Sequence, residues 1–343
     1  MFKDITPNQL FDLKQSKMTI VDVRSPKEFQ DATIPGAINM PLFSDEERSV
    51  IGTIYKLEGQ EAAKDLGLKI CAKKLPEYIE AFKQLPQPLT VFCWRGGMRS
   101  KTVATVLDLM NIHVTKLSGG IKAYRNWIKE QLDTLPLPEL FVLNGCTGSG
   151  KTHMLHTLEK EGYPVIELER MASHRGSIFG HIGRKPLNQR TFDLVLGEAL
   201  LTLKNAPYIV IEGESSRIGK IKIPDRFYQH KEASHQYVIA LPIAQRIELI
   251  LAEYQPEIHH DQFIEAFSII KRRIHTPVAH RIDEALKNHN YREAIRDLLD
   301  YYYDPRYRHT LNYNEEQMTT FKVTSIEDAL AKLRAILPAL HVF

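Results

Sequence analysis

Two glycine-rich turns, each set where a strand-like apolar run gives way to a helix-like one, constrain this chain more than any other feature. The first is Cys93-Trp94-Arg95-Gly96-Gly97-Met98-Arg99-Ser100, directly after Leu89-Thr90-Val91-Phe92. The second is Gly145-Cys146-Thr147-Gly148-Ser149-Gly150-Lys151-Thr152, directly after Leu140-Phe141-Val142-Leu143-Asn144. Strand, turn and helix together aim several backbone N–H groups and a helix N-terminus at one point, which suits an anion. The first loop adds a thiol and the second an ammonium. Such a chain is expected to move a group on sulfur or a similar atom while holding a phosphorylated ligand.

The rest of the chain alternates in the same way. Thr19–Val23 reads as a buried strand, and Ser25-Pro26-Lys27-Glu28 opens a helical turn with proline at a favourable first position. Ile34–Asn39 is a turn into another short strand, and residues 44–85 carry a charged helical pattern. Leu89–Phe92 and Val114–Leu117 are further strands, followed by helices over Ser100–Met110 and Ile121–Gln131. Leu135-Pro136-Leu137-Pro138 is stiff and separates two complete patterns. With 343 residues the length suits about two domains, and the boundary is placed there: residues 1–134 and 139–343. In the second domain Tyr208–Ile211 and Gln236–Leu241 are buried strands, and the pattern after Pro242 is helical to about Tyr303. The expected fold class is α/β, with a parallel sheet and flanking helices in each domain and a helical C-terminal part.

Three cysteines, Cys71, Cys93 and Cys146, are too few and scattered for a disulfide framework or a four-ligand zinc site. The histidines show no metal-ligand spacing, so no metal site is expected. No apolar run approaches the roughly 18 residues of a membrane span, and the N-terminus has no basic-then-apolar leader pattern. A cytoplasmic protein is expected, where Cys93 stays a free thiol. Net charge is only +3, but it is patchy. Arg170 to Arg190 holds five Lys/Arg, among them Arg175, Arg184, Lys185 and Arg190, and no acid. Ala266 to Ile282 holds Lys271, Arg272, Arg273 and Arg281, again without an acid. Two readings stand for these stretches: a grip on a polyanion such as RNA, or a solvated face.

A cysteine becomes a nucleophile when its thiolate is stabilised. The helix N-terminus at Ser100, the loop amides of Trp94, Gly96, Gly97 and Met98, and the charges of Arg95 and Arg99 are candidates for that work at Cys93. Asp22-Val23-Arg24-Ser25-Pro26-Lys27-Glu28-Phe29, Ile34-Pro35-Gly36-Ala37-Ile38-Asn39, the Cys93 loop and Leu117-Ser118-Gly119-Gly120 follow one another as in a rhodanese domain, which this part of the chain resembles over residues 5–132. The resemblance implies that Cys93 carries sulfur or selenium, and that Asp22 and Arg24 brace its loop from the neighbouring strand. Many single-domain rhodaneses place four residues between cysteine and arginine, whereas five stand here. The Cys-x5-Arg-Ser spacing also resembles cysteine phosphatases, but Phe92 occupies the place of their histidine, and no general-acid aspartate can be assigned. The loop is read as a chalcogen carrier whose donor is a phosphate compound.

Gly145-x4-Gly150-Lys151-Thr152 matches the phosphate-loop pattern in full. Gly145, Gly148, Ser149 and Gly150 wrap the phosphates, Lys151 supplies a point charge, and Thr152 is the residue that would ligate Mg²⁺. Glu212 and Glu214 stand at the end of a buried strand, where a nucleotide hydrolase keeps an acid. Glutamate there, followed by Ser215-Ser216-Arg217, departs from the commonest form, so ATP and another diphosphate remain alternatives. His174-Arg175-Gly176-Ser177-Ile178-Phe179-Gly180 is read as a ligand or RNA clamp against a plain surface loop.

The order of these motifs, with Glu212-Gly213-Glu214-Ser215-Ser216-Arg217-Ile218-Gly219, resembles the bacterial tRNA 2-selenouridine synthases over nearly the whole chain. The resemblance implies a transferase acting on wobble 2-thiouridine in tRNA. Geranyl diphosphate alkylates the sulfur, and selenium from selenophosphate then replaces the S-geranyl group. It also implies a partner enzyme that makes selenophosphate. Lys151 and Arg175 are expected to offset leaving-group charge in the phosphate-loop domain. Two other classes stay open: a cysteine-dependent phosphatase or sulfurtransferase fused to a kinase-like domain, and a nucleotide-gated binding protein with an inert rhodanese module.

Overall fold

Short β-branched and aromatic runs between polar turns give, among the described residues, ten strands that lie in two parallel sheets, plus a small hairpin. The computed structural model describes residues 1–310, 313 and 315–339. Two compact units emerge: Met1–Thr134 with Asp193–Glu198, and Leu135–Phe192 with Ala199–Phe343.

In the first unit β1 (Lys3–Ile5), β2 (Thr19–Asp22), β3 (Ile38–Asn39), β4 (Leu89–Phe92) and β5 (Val114–Leu117) form a parallel sheet of order β1-β5-β4-β2-β3. Every residue of the central β4 is buried, as its unbroken apolar run requires. The register puts Asp22 beside Phe92, so the polar end of β2 lies against the start of the Cys93 loop. The helix Met98–Leu109 follows that loop and buries Val103, Ala104 and Leu107. Between β3 and β4 the charged stretch folds into two helices, Asp45–Leu57 and Gln60–Lys83. Ser44 and Glu47 cap the first reciprocally, satisfying two N–H groups at its start.

The second unit holds β6 (Glu139–Asn144), β7 (Val165–Ile166), β8 (Tyr208–Glu212), an antiparallel pair β9 (Arg217–Ile218) and β10 (Ile221–Lys222), β11 (Gln236–Ala240) and β12 (Met318–Lys322). Its parallel sheet has the order β12-β11-β6-β8-β7. The chain leaves β6 toward β7 and β8 and later returns to β11 on the other side. That reversal leaves a crevice at the carboxyl end of β6, where α/β sheets bind ligands. The helices Ile243–Tyr254, His260–Ile270, Thr276–Lys287 and Tyr291–Leu298 share an apolar core that includes Ile247, Phe267 and Ile282. A π turn at Leu299–Tyr303 leads into the helix Asp304–Thr310. The strand β12 and the helix Ile326–Ile336 follow the stretch read as helical to about Tyr303 and were not assigned from the sequence. Among the described residues no helix is long and apolar enough to cross a membrane.

Candidate functional site

Cys93 leaves β4 directly and is 3% exposed. Its Sγ lies 3.2 Å from Ser100 Oγ in the first turn of the following helix. The loop is held from behind by the start of the helix Gly120–Thr134: the Ile121 N–H donates to the Cys93 carbonyl at 3.0 Å, and the Lys122 N–H to that of Trp94 at 3.1 Å. Gly120 has φ +60, and a Cβ there would lie 2.3 Å from the Cys93 oxygen. Only glycine allows that approach. Asp22 and Arg24 are both buried and form a two-pronged ion pair, with Arg24 Nη2 to Asp22 Oδ2 at 2.6 Å. Arg24 also donates to the Ala32 carbonyl and sits 6.0 Å from the Trp94 ring. Sequence reasoning missed Lys116, whose buried ammonium donates to Asp4 at 3.0 Å and to the Gly96 carbonyl at 3.3 Å.

The guanidinium of Arg99, a residue expected to act on the thiol, pairs with both oxygens of Glu28. Burial would raise the Glu28 carboxyl; the hydrogen bond and charge of Arg99 outweigh it and hold the group below its ordinary range. Arg95, Gly97 and Met98 are exposed at the loop surface.

The second loop follows β6 and runs into the helix Lys151–Lys160. Lys151 Nζ donates to the Gly145 carbonyl of its own loop at 3.0 Å. Arg246, absent from the sequence reading, anchors the loop: its Nε donates to the Thr147 carbonyl at 2.9 Å, and its other nitrogens pair with Asp304 at 2.6 and 2.8 Å. A cavity of about 780 Å³ opens over the loop, lined by residues including Gly145, Gly148, Ser149, Gly150, Lys151, Thr152, Arg175, Glu214 and Lys231. That volume suits a small organic ligand.

Three carboxyls gather beside Lys151. Glu212 ends β8, is wholly buried, and accepts the Glu169 N–H through Oε1 at 2.6 Å. Burial, then the charge of Glu214, pushes the Glu212 carboxyl up to about 8. Burial also raises Glu214, with Lys151 and Lys231 opposing it. Glu169 rises well above the ordinary range through burial, Glu212 and Glu214. The sequence reading named Glu212 and Glu214 but not Glu169, which stands in the short helix Leu168–Ala172 just after β7, the strand paired with β8. Gly176 (φ +67) passes so close that a Cβ would lie 2.7 Å from Glu214 Oε2. Among the described residues no group of three or more His, Cys, Asp or Glu is placed to hold a metal ion.

The His174–Gly180 motif divides. Phe179 belongs to the apolar core, so this half is neither surface loop nor clamp. Arg175 lines the cavity but is pinned on its wall: Nε donates to Glu253 at 2.6 Å, Nη1 to the Ile182 carbonyl at 2.9 Å, and the guanidinium lies 4.5 Å from the Tyr254 ring. The basic stretches are acid-free along the chain but not in space. Arg184 lies 3.9 Å from Glu253, Lys271 pairs with Asp283 at 3.1 Å, and Arg281 pairs with Asp297 at 3.0 Å. Lys185, Arg190, Arg272 and Arg273 are exposed.

Residues 6–126 match the family model described as a rhodanese-like domain, and residues 138–335 match that described as the tRNA 2-selenouridine synthase AAA domain. Proteins named tRNA 2-selenouridine synthase are similar to this chain. The one from Bdellovibrio bacteriovorus is 37% identical over 261 residues, covering 74% of this chain and 68% of the relative. That from Nitrosomonas europaea is 33% identical over 260 residues, with 73% and 67% covered. That from Hydrogenovibrio crunogenus is 32% identical over 321 residues, with 84% and 88% covered. With both family models in sequence and both loops built as described, the chain belongs to the tRNA 2-selenouridine synthase family.

Proposed function

We propose that this protein converts 2-thiouridine at the wobble position of tRNA into 2-selenouridine in two steps. First the thiocarbonyl sulfur attacks C1 of geranyl diphosphate, the C–O bond breaks, and diphosphate leaves. Selenophosphate held at the Cys93 loop then attacks C2 through its selenium as the geranyl thiol departs, and water cleaves the P–Se bond, releasing phosphate and leaving selenium on C2. Alkylation comes first because a thiocarbonyl sulfur leaves poorly, whereas a thioether sulfur leaves as a thiol.

The observation that carries this reading is a division of labour between the loops. The first presents a buried thiol beside Ser100 Oγ at a helix N-terminus. The second presents Lys151 to a cavity large enough for a diphosphate and an organic tail. A lysine and loop amides suit the leaving diphosphate, whose charge grows as the C–O bond breaks. The relatives named tRNA 2-selenouridine synthase support tRNA as the substrate.

The test is mass spectrometry of nucleosides from 2-thiouridine-containing tRNA incubated with the full chain, geranyl diphosphate and selenophosphate. S-geranyl-2-thiouridine is expected with the first donor alone, and 2-selenouridine with both. Formation of 2-selenouridine without geranyl diphosphate would remove the alkylation step from the scheme.

A further inference from the structure

The phosphate loop brings one ammonium, Lys151, to its cavity, and a diphosphate ester carries more negative charge than one lysine offsets. Lys231, on the helix Asp225–Ala233, lines the same cavity. It is 1% exposed, and burying an ammonium is costly without a partner. Its Nζ is paired with Glu232, its own neighbour in sequence, and lies 4.9 Å from the Tyr228 ring centre. Glu232 is steadied on its other oxygen by the Tyr313 hydroxyl at 3.0 Å. Two adjacent residues can pair on any surface, so their ion pair alone gives no reason to bury Lys231 against a cavity. Its place in the cavity ties it to the loop: Lys151, Glu214 and Lys231 line the same cavity, and both ammonium charges oppose the upward push of burial on the Glu214 carboxyl. Both lysines thus belong to the wall of the cavity that opens over the phosphate loop.

We propose that Lys231 is a second phosphate-binding residue, with Lys151 holding one phosphoryl group of a diphosphate and Lys231 the other. Glu232 is the internal anion that the ligand displaces from Lys231. The proposal rests on reading the cavity as a diphosphate site and names the residue that selects diphosphate over monophosphate there.

The experiment is calorimetric titration of the full chain with inorganic pyrophosphate and, separately, inorganic phosphate. Lys231→Met is expected to weaken pyrophosphate about 10- to 100-fold, the loss of a charged hydrogen-bond partner, and to change phosphate by less than about threefold. Lys231→Arg restores pyrophosphate binding. Glu232→Gln, which removes the competing anion, tightens it, a direction that a damaged fold does not produce. Unchanged pyrophosphate affinity in Lys231→Met, with loss in Lys151→Ala, overturns the role of Lys231 and leaves the cavity reading standing. Unchanged affinity in Lys151→Ala overturns the cavity reading and this proposal with it. Equal loss of both ligands in Lys231→Met, not restored by Lys231→Arg, reduces Lys231 to a structural residue and also overturns the proposal.

Discussion

Replacing the thiol at position 93 separates the two halves of the proposed reaction. Cys93→Ala is expected to abolish 2-selenouridine while leaving S-geranyl-2-thiouridine largely intact, because alkylation uses a diphosphate clamp rather than a nucleophilic side chain. Following both nucleosides checks it, and undiminished 2-selenouridine rejects the role of Cys93. Glu212 gives a prediction of a different kind. Burial and Glu214 push its carboxyl from 4.5 to about 8, so the folded protein binds that proton more tightly than the unfolded chain. The contribution of Glu212 to stability is therefore greatest below 4.5 and falls as pH rises through 8. Glu212→Gln keeps an oxygen for the Glu169 N–H and removes the titration. Urea unfolding at a series of pH values should show the variant gaining on wild type as pH rises, by a few kcal/mol once the window is crossed. Parallel pH profiles of the two proteins would contradict the assigned proton.

At the scale of elements, the turn Ser118–Gly120 and the Cys93 loop are one structure built from two strand ends. Gly120→Ala would place a methyl 2.3 Å from the Cys93 carbonyl and 2.5 Å from the Gly96 nitrogen, both backbone atoms. A loss of about 2 kcal/mol or more is expected, with a changed alkylation rate at Cys93. Gly97→Ala meets nothing within 4 Å and should shift stability by less than about 0.5 kcal/mol. Urea midpoints and iodoacetamide kinetics read both. This coupling also shows what a sequence displays. The strands β4, β6 and β8 were legible because each is an apolar run buried throughout or nearly so. The strand β12 was not: Met-Thr-Thr-Phe-Lys on a sheet edge has no buried residue and no alternation to betray it. The loops could be read because their chemistry is contiguous. Glu169, Lys231 and Arg246 could not, since each owes its place to partners 43 to 99 residues away or to a cavity wall.

For the molecule as a whole, charge that counts toward tRNA is charge not already spent inside. Lys271 and Arg281 are engaged by Asp283 and Asp297, acids that lie outside the basic stretch in sequence. Arg272 and Arg273 are exposed on the short helical turn Lys271–Arg273. Phosphate contacts release counterions, so tRNA binding should weaken steeply with salt. The double variant Arg272→Glu, Arg273→Glu is expected to lower tRNA affinity and flatten the salt slope by about one to two units, while pyrophosphate affinity stays unchanged. Titrating labelled tRNA at several salt concentrations decides it, and equal slopes would place the tRNA on another face.

The wide turn at Leu299–Tyr303 gives the chain slack. A π turn takes up one residue more than an α turn, so the helices on either side keep the faces they would have in an unbroken helix one residue shorter. Asp304 reaches Arg246, and through it the Thr147 carbonyl, from beyond that spare residue. Deleting Asp300, which is exposed, should close the turn to regular α-helix and leave pyrophosphate binding near wild type. Deleting Asp300 and Tyr301 together exceeds the slack and swings Asp304 about 100° around the helix axis, away from Arg246. That protein should lose pyrophosphate binding although Asp304, Arg246 and every residue of the loop remain in its sequence. The distance from Tyr291 to Asp304 can thus vary by one residue, but not by two, without loosening the grip on phosphate.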